Sequence, residues 1–547
     1  MASKNEGSNL AKLFHQAKYD ELWQRCCGFI DLSPNDFMSI QRRLLFEQLG
    51  LLKNCELGRI ILKGANPKTL DEFRHQVPLT TYADYAPYLL EQREDILPRP
   101  PVLWQHTSGK SGEYTFRWVP VTAEQLEQIE PLIFALVFFS SCDDRKTFTV
   151  REHDSVLYGM APPPYATGTM ARAFPHEQFH FLPPVEQAEK MTFEDRLKTG
   201  FDMALNDGLD ICFALSSVAV AIGERFSQRG RSADLMKLLQ HPKALARLSQ
   251  GLIRSKVLGR QLLPRDIWSL KGLITFGIDG SVYREKIKKM WGRYPLDFHG
   301  CTEAVIIATQ TWDYQGMTFV PNLQLFEFIR EEDSLRCLAD PTYQPPTYLM
   351  DEITPGNYEL VITSFHGGPF VRYRLGHLVK ITALKNERLN INIPQMSFLS
   401  RVDDQIDIAG FTRLSEKVIW QAVENSGIPY SDWVARKEIR KEKPALHLYL
   451  ELANGDGRGQ DEISSIVHEE LKKLDQPYAD LETFTGLNPL EVTLLPPGAF
   501  ATYKERQRSA GADLTRLKPP HINPSADTIS ALASMCGTGT RRVTEPV

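Results

Sequence analysis

The chain has 547 residues, 42% of them hydrophobic and 24% charged, with a formal net charge of −5. That length calls for two or more domains, and the balance supplies no concentrated basic face for a nucleic acid partner. The longest apolar runs, "PLIFALVFF" (131–139) and "ICFALSSVAVAIG" (211–223), fall short of the ~20 residues that cross a bilayer; they read as buried core helices, and no membrane partner is expected.

The first residues, "MASKNEGSNL", lack the apolar core of a signal peptide, and the eight cysteines form no Cys-x-x-Cys pair. A cytoplasmic, reducing setting with unpaired thiols follows. Residues 1–100 read as helical. "WQHTSGKSGEYTFRWVPVT" (104–122) is a small, hydroxyl-rich loop ahead of Arg117. Thr122 with Gln125 has the spacing of a capping box for a helix through 126–139, and a loop before a helix start can present N–H groups to an anion. Residues 140–260 mix irregular, Pro-rich segments with helices. "LITF" (273–276) is strand-like, "GIDGS" (277–281) a turn, and "VYREKIKKMW" has helical spacing. After "FHGCTEA" (298–304) comes a β-rich stretch with "LQLFEFI" (323–329), "NYELVITSF" (357–365) and "HLVKIT" (377–382). Near residue 400 the texture changes: "FLSRVDDQIDIAGF" is polar and turn-like and opens a section of alternating helix and strand patterns to about 525. The tail, 531–547, reads as disordered.

"HEQFH" (176–180) satisfies the His-Glu-x-x-His zinc pattern. That chemistry needs both histidines one turn apart on a stable helix, yet Pro183 and Pro184 stop any helix within about two turns. No third ligand stands out, so the segment reads as surface or pocket lining. Taken singly, the other motifs also have ordinary readings. The loop can be a flexible surface loop, "GCTE" a helix start, and "RYRLGH" (372–377) a salt-bridged strand end. "SRVDD" can be a plain linker, Lys518 a solvated lysine, and Cys301 a buried structural thiol.

Their order is more specific. The hydroxyl-rich glycine loop, "GIDGS", "GCTE", "LFEFIRE", "YELVITSFHGGPFVRYRLGH", "SRVDD" and "PPGAFATYKERQRSAGADLTRLKPPH" together resemble the adenylate-forming enzymes. More closely they resemble the auxin-responsive acyl acid–amido synthetase branch, over roughly residues 60–525. The resemblance implies an α/β fold. A large N-terminal domain (1–399), with mixed β-sheets flanked by helices, would hold the acyl and ATP sites. A small mobile C-terminal α+β lid domain (400–530) would follow.

It also implies ATP-dependent activation of a carboxylic acid as an acyl-adenylate, then transfer to an amine or amino acid to form an amide, by a monomer. Thr107, Ser108, Gly109, Lys110, Ser111 and Gly112 would fold over the β- and γ-phosphates, with Arg117 adding charge. Gly280 and Ser281 would lie beside the adenine, Thr302 would contact the α-phosphate, and Glu303 would hold Mg²⁺. Arg401 would reach the nucleotide, Asp403 or Asp404 would serve as the pivot, and Lys518 would swing in for one half-reaction. The acyl pocket is expected before the "GIDGS" strand and around Thr302–Ile307, with Tyr165, His176 and His180 as further candidates. One departure stands out. The family has Asp where this chain has His377, and that carboxylate accepts from both ribose hydroxyls. Losing a charge-assisted bond costs about 1.5–3 kcal/mol, roughly ten- to a hundredfold in affinity, unless another group compensates. Alternatives are an acid–thiol ligase making an acyl-CoA and a catalytically weakened ligand-binding relative.

Overall fold

The computed structural model describes residues 9–107, 116–160, 163–174, 177–229, 242–277, 280–340, 342–402, 406–408, 412–414, 416–440, 443–453, 457–485, 489–509, 519 and 521–534. The chain forms two compact units that divide after Val402. Three residues beyond 399 thus belong to the first unit, because a strand runs on through Arg401 and the Val402 N–H donates to Gly376 O at 2.8 Å.

The first unit opens with helices from Asn9 to Leu89. Side chains set their starts. The Asp36 N–H donates to Ser33 Oγ at 3.1 Å, with Pro34 at the first helical position. Strands β1 (Pro101–His106) and β2 (Trp118–Thr122) pair antiparallel and bring Thr107 and Arg117 side by side. Both halves of the Thr122–Gln125 capping box are present at 3.1 Å, starting the helix Ala123–Ser141. Every residue from Leu132 to Ser141 in that helix is buried, which makes it a core helix rather than an amphipathic one.

Among the described residues, eleven strands build the central sheet. Its parallel half contains β3 (Ser155–Gly159), β4 (His180–Leu182), β5 (Ile211–Leu215), β6 (Gly272–Phe276) and β7 (Leu296–His299). The antiparallel half contains β8 (Ala308–Thr309), β9 (Met317–Phe319), β10 (Gln324–Arg330), β11 (Gly356–Ser364), β12 (Tyr373–Ala383) and β13 (Gln395–Arg401).

This corrects two expectations. Residues 140–260 contribute three parallel strands, and "ICFALSSVAVAIG" is a strand followed by the helix Ser216–Arg229, not one helix. A strand covered on both faces is a continuous apolar run, which periodicity cannot separate from a buried helix. Nor is "HEQFH" helical. Glu177–Phe179 turn, His180 opens the edge strand β4, and His176 lies outside the described residues.

The antiparallel half explains three motifs at once. The two arginines of "RYRLGH" are ion-pair partners of the glutamates in "LFEFI" and "YELV". Arg372 Nη2 lies 2.8 Å from Glu327 Oε1, and Arg374 Nη2 lies 2.6 Å from Glu359 Oε2. The motifs sit on adjacent strands, β10–β11–β12, whose register brings these side chains together.

The second unit has its own core, including Trp433, Leu448, Leu450, Val467, Leu471 and Tyr478. Strands β14 (Ile406–Ile408) and β15 (Thr412–Leu414) pair with each other. Strands β16 (Tyr430–Arg440), β17 (Lys443–Leu452) and β18 (Leu490–Leu495) form a three-stranded sheet, antiparallel then parallel. "FLSRVDDQIDIAGF" is therefore not all turn: β13 ends it on one side and β14 lies within it. Glu451 accepts from the N–H groups of Gly498 and Phe500 at 2.8 and 2.9 Å, capping the helix Ala499–Ser509. A last helix, Ala526–Ala533, capped by Ser525 and with Leu532 buried, runs through the expected start of the tail at 531. Among the described residues, no helix is long and apolar enough to cross a membrane, and the seven cysteines are free thiols.

Candidate active site

In a parallel sheet flanked by helices, ligand sites form beyond the carboxyl ends of the strands. Two such ends carry motifs here. β6 ends at Phe276, Gly277 follows with φ 124°, and the helix Gly280–Trp291 begins at the predicted Gly280 and Ser281. β7 ends at His299 and delivers "GCTE".

That segment is a tight turn rather than a helix start. The Val305 N–H donates to Cys301 O at 2.7 Å, the Ile307 N–H donates to His299 O at 2.8 Å, and Val305 has φ 50°. A side chain at Gly300 would place its Cβ 1.9 Å from Val305 O, so only glycine fits. The hairpin holds the turn in place. Gln105 Nε2 donates to Thr302 O at 2.6 Å, and Thr169 Oγ1 fixes Gln105 by donating to its Oε1 at 2.7 Å.

The ends of the hairpin loop are clasped. The Thr107 N–H donates to Arg117 O at 3.1 Å, and the Arg117 N–H donates to Thr107 Oγ1 at 3.2 Å. Arg117 lies over the Tyr82 ring, 5.6 Å from its centroid, and its Nη1 is 3.8 Å from Glu303 Oε1. Tyr373 Oη donates to the same Glu303 oxygen at 3.4 Å. The predicted Arg117 and Glu303 are thus brought together, with Glu303 buried. A second bridge joins the turn to β12, between His299 Nε2 and His377 Nδ1 at 3.1 Å. Glu303 also lines a small cavity of about 20 Å³, bordered by Gln105, Gln125, Gln324 and Ser364, enough for one water molecule.

Of the other predicted residues, Arg401 ends β13, its backbone opposite His377. Ser108, Gly109, Lys110, Ser111, Gly112, Asp403, Asp404 and Lys518 lie outside the described residues. Tyr165 packs against His106, with ring centroids 5.0 Å apart. His180 is exposed on the edge strand, with Asp207 3.9 Å away. Cys301 is half-buried. Sequence reasoning overlooked Gln105, His106, Tyr82, Tyr373 and His299. Four of these stand inside or beside quoted motifs, where a polar residue at a buried strand end is the available signal.

Asp297, two residues before His299, has an Oδ1 that is shielded and without a hydrogen-bond partner among the described residues, although the residue as a whole is partly exposed. Burial pushes its carboxyl up to about 7, against the opposing pull of the Phe298 N–H and Arg284. A raised carboxyl keeps its proton longer in the folded than in the unfolded chain, so stability falls as pH rises from about 4 to 7 and then levels. Asp297→Asn removes that loss. Relative to the parent chain it should be level near pH 4 and more stable by about 2–4 kcal/mol at pH 8. Urea unfolding at pH 5 and 8 checks this; an unchanging difference would refute it.

Comparison with known proteins gives these motifs a common context. An indole-3-acetic acid-amido synthetase of Arabidopsis thaliana is 24% identical over 239 residues, covering 40% of this chain and 37% of that protein. One from Oryza sativa subsp. indica is 26% identical over 222 residues, covering 37% and 34%. The chain thus matches about a third of the length of these curated relatives. A solved acyl acid amido synthetase in complex with 2,4-DB has a similar fold, with a TM-score of 0.50 at 17% identity, covering 98% of this chain and 97% of the other. Models of the N-terminal, central and C-terminal domains of one family match residues 27–153, 317–401 and 415–527. Matched in that order and over more than half of its length, the chain belongs to the GH3 family.

Proposed function

We propose that this protein activates a carboxylic acid with ATP as an acyl-adenylate and transfers the acyl group to an amino acid, forming an amide. The observation that carries the reading is the convergence of Arg117 and Tyr373 on the buried carboxylate of Glu303, at the end of β7. Family membership supports it.

A carboxylate resists attack because it is anionic and has no leaving group. In the first half-reaction a carboxylate oxygen attacks the α-phosphorus, the bond to the β-phosphate oxygen breaks, and pyrophosphate departs. In the second, the amine nitrogen attacks the acyl carbon, the bond to the AMP oxygen breaks, and the amine loses a proton. Both transition states concentrate charge on oxygen, so positioned donors and cations do most of the work. Thr107 to Gly112 close over the β- and γ-phosphates, Arg117 adds charge there, and Thr302 contacts the α-phosphate. Gly280 and Ser281 border the adenine, and Arg401 reaches the nucleotide.

Glu303 suits Mg²⁺, which is commonly held by one or two carboxylates with phosphates and waters completing the shell. Bound there, Mg²⁺ would neutralise charge on the phosphates. The second unit is a lid that pivots at Asp403 or Asp404 and presents Lys518 in one half-reaction. The match to the family's C-terminal domain includes Lys518 and supports this part.

The test is acid-dependent pyrophosphate release over a panel opening with indole-3-acetic acid and 2,4-DB, the acids in the relatives' names. Mass spectrometry of products formed with mixed amino acids or coenzyme A follows. Amides are the expected product. Thioesters alone would replace this reading with an acid–thiol ligase, and no release with any acid would replace it with a ligand-binding role.

A further inference from the structure

We propose that the outer face of the helix Pro242–Val257, with the turn that follows it, is a docking surface for a membrane bearing anionic lipid headgroups. The proposal is independent of the acid, amine and nucleotide reading above and concerns where the protein settles.

The helix presents its residues the opposite way round from an ordinary surface helix. Its small residues face inward. Ala244, Gly251 and Ser255 are buried, and a Cβ at Gly251 would stand 3.1 Å from the side chains of Ile267 and Leu262. Its large aliphatic residues face outward. Leu252, Ile253, Val257 and Leu258 are 38%, 63%, 79% and 62% exposed. Ile253 and Val257, four positions apart, stack on the side opposite Gly251 and Ser255. A surface helix normally turns such residues toward the core. Among the described residues eleven large apolar side chains are exposed, and four of them lie between positions 252 and 258. Scattered singly they would need no explanation, but together they make a patch.

Charge selects the occupant. From Pro242 to Arg265 the chain carries Lys243, Arg247, Arg254, Lys256, Arg260 and Arg265 and no Asp or Glu, in a protein whose formal net charge is −5. Arg247 is turned to Leu205 O at 2.8 Å, and Arg260 pairs with Asp266 at 2.6 Å. Arg254 and Lys256 are exposed within the patch, and Lys243 is exposed at the start of the helix. Salt screens charge beyond about 8–10 Å, so an approaching surface meets this local excess and not the net charge. A second copy of the chain, docking about a two-fold axis, would set these cations against their own likes. An anionic bilayer meets both halves of the pattern. Protruding aliphatic side chains enter its acyl boundary, while lysine and arginine reach the headgroup phosphates. That no described helix can cross a membrane does not bear on this, because lying on one takes a single exposed face.

The test is co-sedimentation of the full chain with vesicles of phosphatidylcholine, alone or mixed with phosphatidylserine, for the parent and two variants. Ile253→Asp with Val257→Asp removes the apolar face, and Arg254→Glu with Lys256→Glu reverses the local charge. All four side chains are exposed, so thermal unfolding should match the parent's. The parent should bind the phosphatidylserine vesicles at least about tenfold more tightly than the neutral ones, since each cation at such a surface is worth roughly fivefold. Each variant should lose about tenfold or more of that binding, and added salt should weaken the parent. Equal binding to both vesicles, or binding that either variant keeps at the parent's level, overturns the proposal. No binding to either vesicle assigns the face to another protein and overturns it too. So does self-association that Ile253→Asp with Val257→Asp abolishes in a parent that ignores vesicles.

Discussion

Replacing Glu303 by Gln is expected to lower acid-dependent pyrophosphate release by about 10²–10³-fold, the usual effect of removing one preorganised electrostatic group from a transition state. The side chain keeps its size and still accepts from Tyr373, so the turn held by Gln105 and Gly300 should survive. What is lost is the negative charge facing Arg117 at 3.8 Å and a carboxylate suited to a hard divalent cation. Raising the Mg²⁺ concentration should recover part of the rate, and thermal unfolding should shift by no more than a few degrees. An unchanged rate would remove Glu303 from the mechanism.

The largest expected effect on stability lies away from the reacting atoms. Arg372 is 6% exposed and Glu327 fully buried. The guanidinium is spent on Glu327, on Val77 O at 2.6 Å and on Thr347 Oγ1 at 3.0 Å. Glu327→Leu strands that cation in the core and should cost about 3–5 kcal/mol in urea unfolding. Glu327→Leu combined with Arg372→Met removes both charges and should regain more than half of the loss, because desolvation of the pair offsets much of its attraction. A double variant no better than the single one would mean that Arg372 matters through its carbonyl and hydroxyl contacts. Pyrophosphate release by the refolded double variant should stay near the parent's, since the Arg372 guanidinium is committed to Glu327, Thr347 and main-chain carbonyls.

Much of the site was legible because it is built from local signals. A hydroxyl and an amide three residues apart declared the start of the core helix at Thr122, and a glycine-bearing stretch marked the link between β1 and β2. The parallel strands were less legible. Ile211–Leu215 is apolar throughout because both of its faces are covered, and that pattern is shared with a buried helix. "GCTE" was open to a helix reading, since Thr-Glu after glycine suits a helix start as well as a turn. The clash of a Gly300 Cβ with Val305 O becomes visible only when the backbone is folded.

By itself the sequence determined which chemical groups are available and in what order: a hydroxyl-rich loop, a cation after it, a Thr-Glu pair, and a histidine where the resemblance implies an acid. Only the tertiary structure decided who meets whom. Glu327 finds Arg372 across 45 residues, and His299 finds His377 across 78. The physical reason is range. Caps, turns and glycines act through backbone geometry over a few positions, whereas these pairings depend on strand order and register. A slip of one residue along a strand turns every side chain to the opposite face.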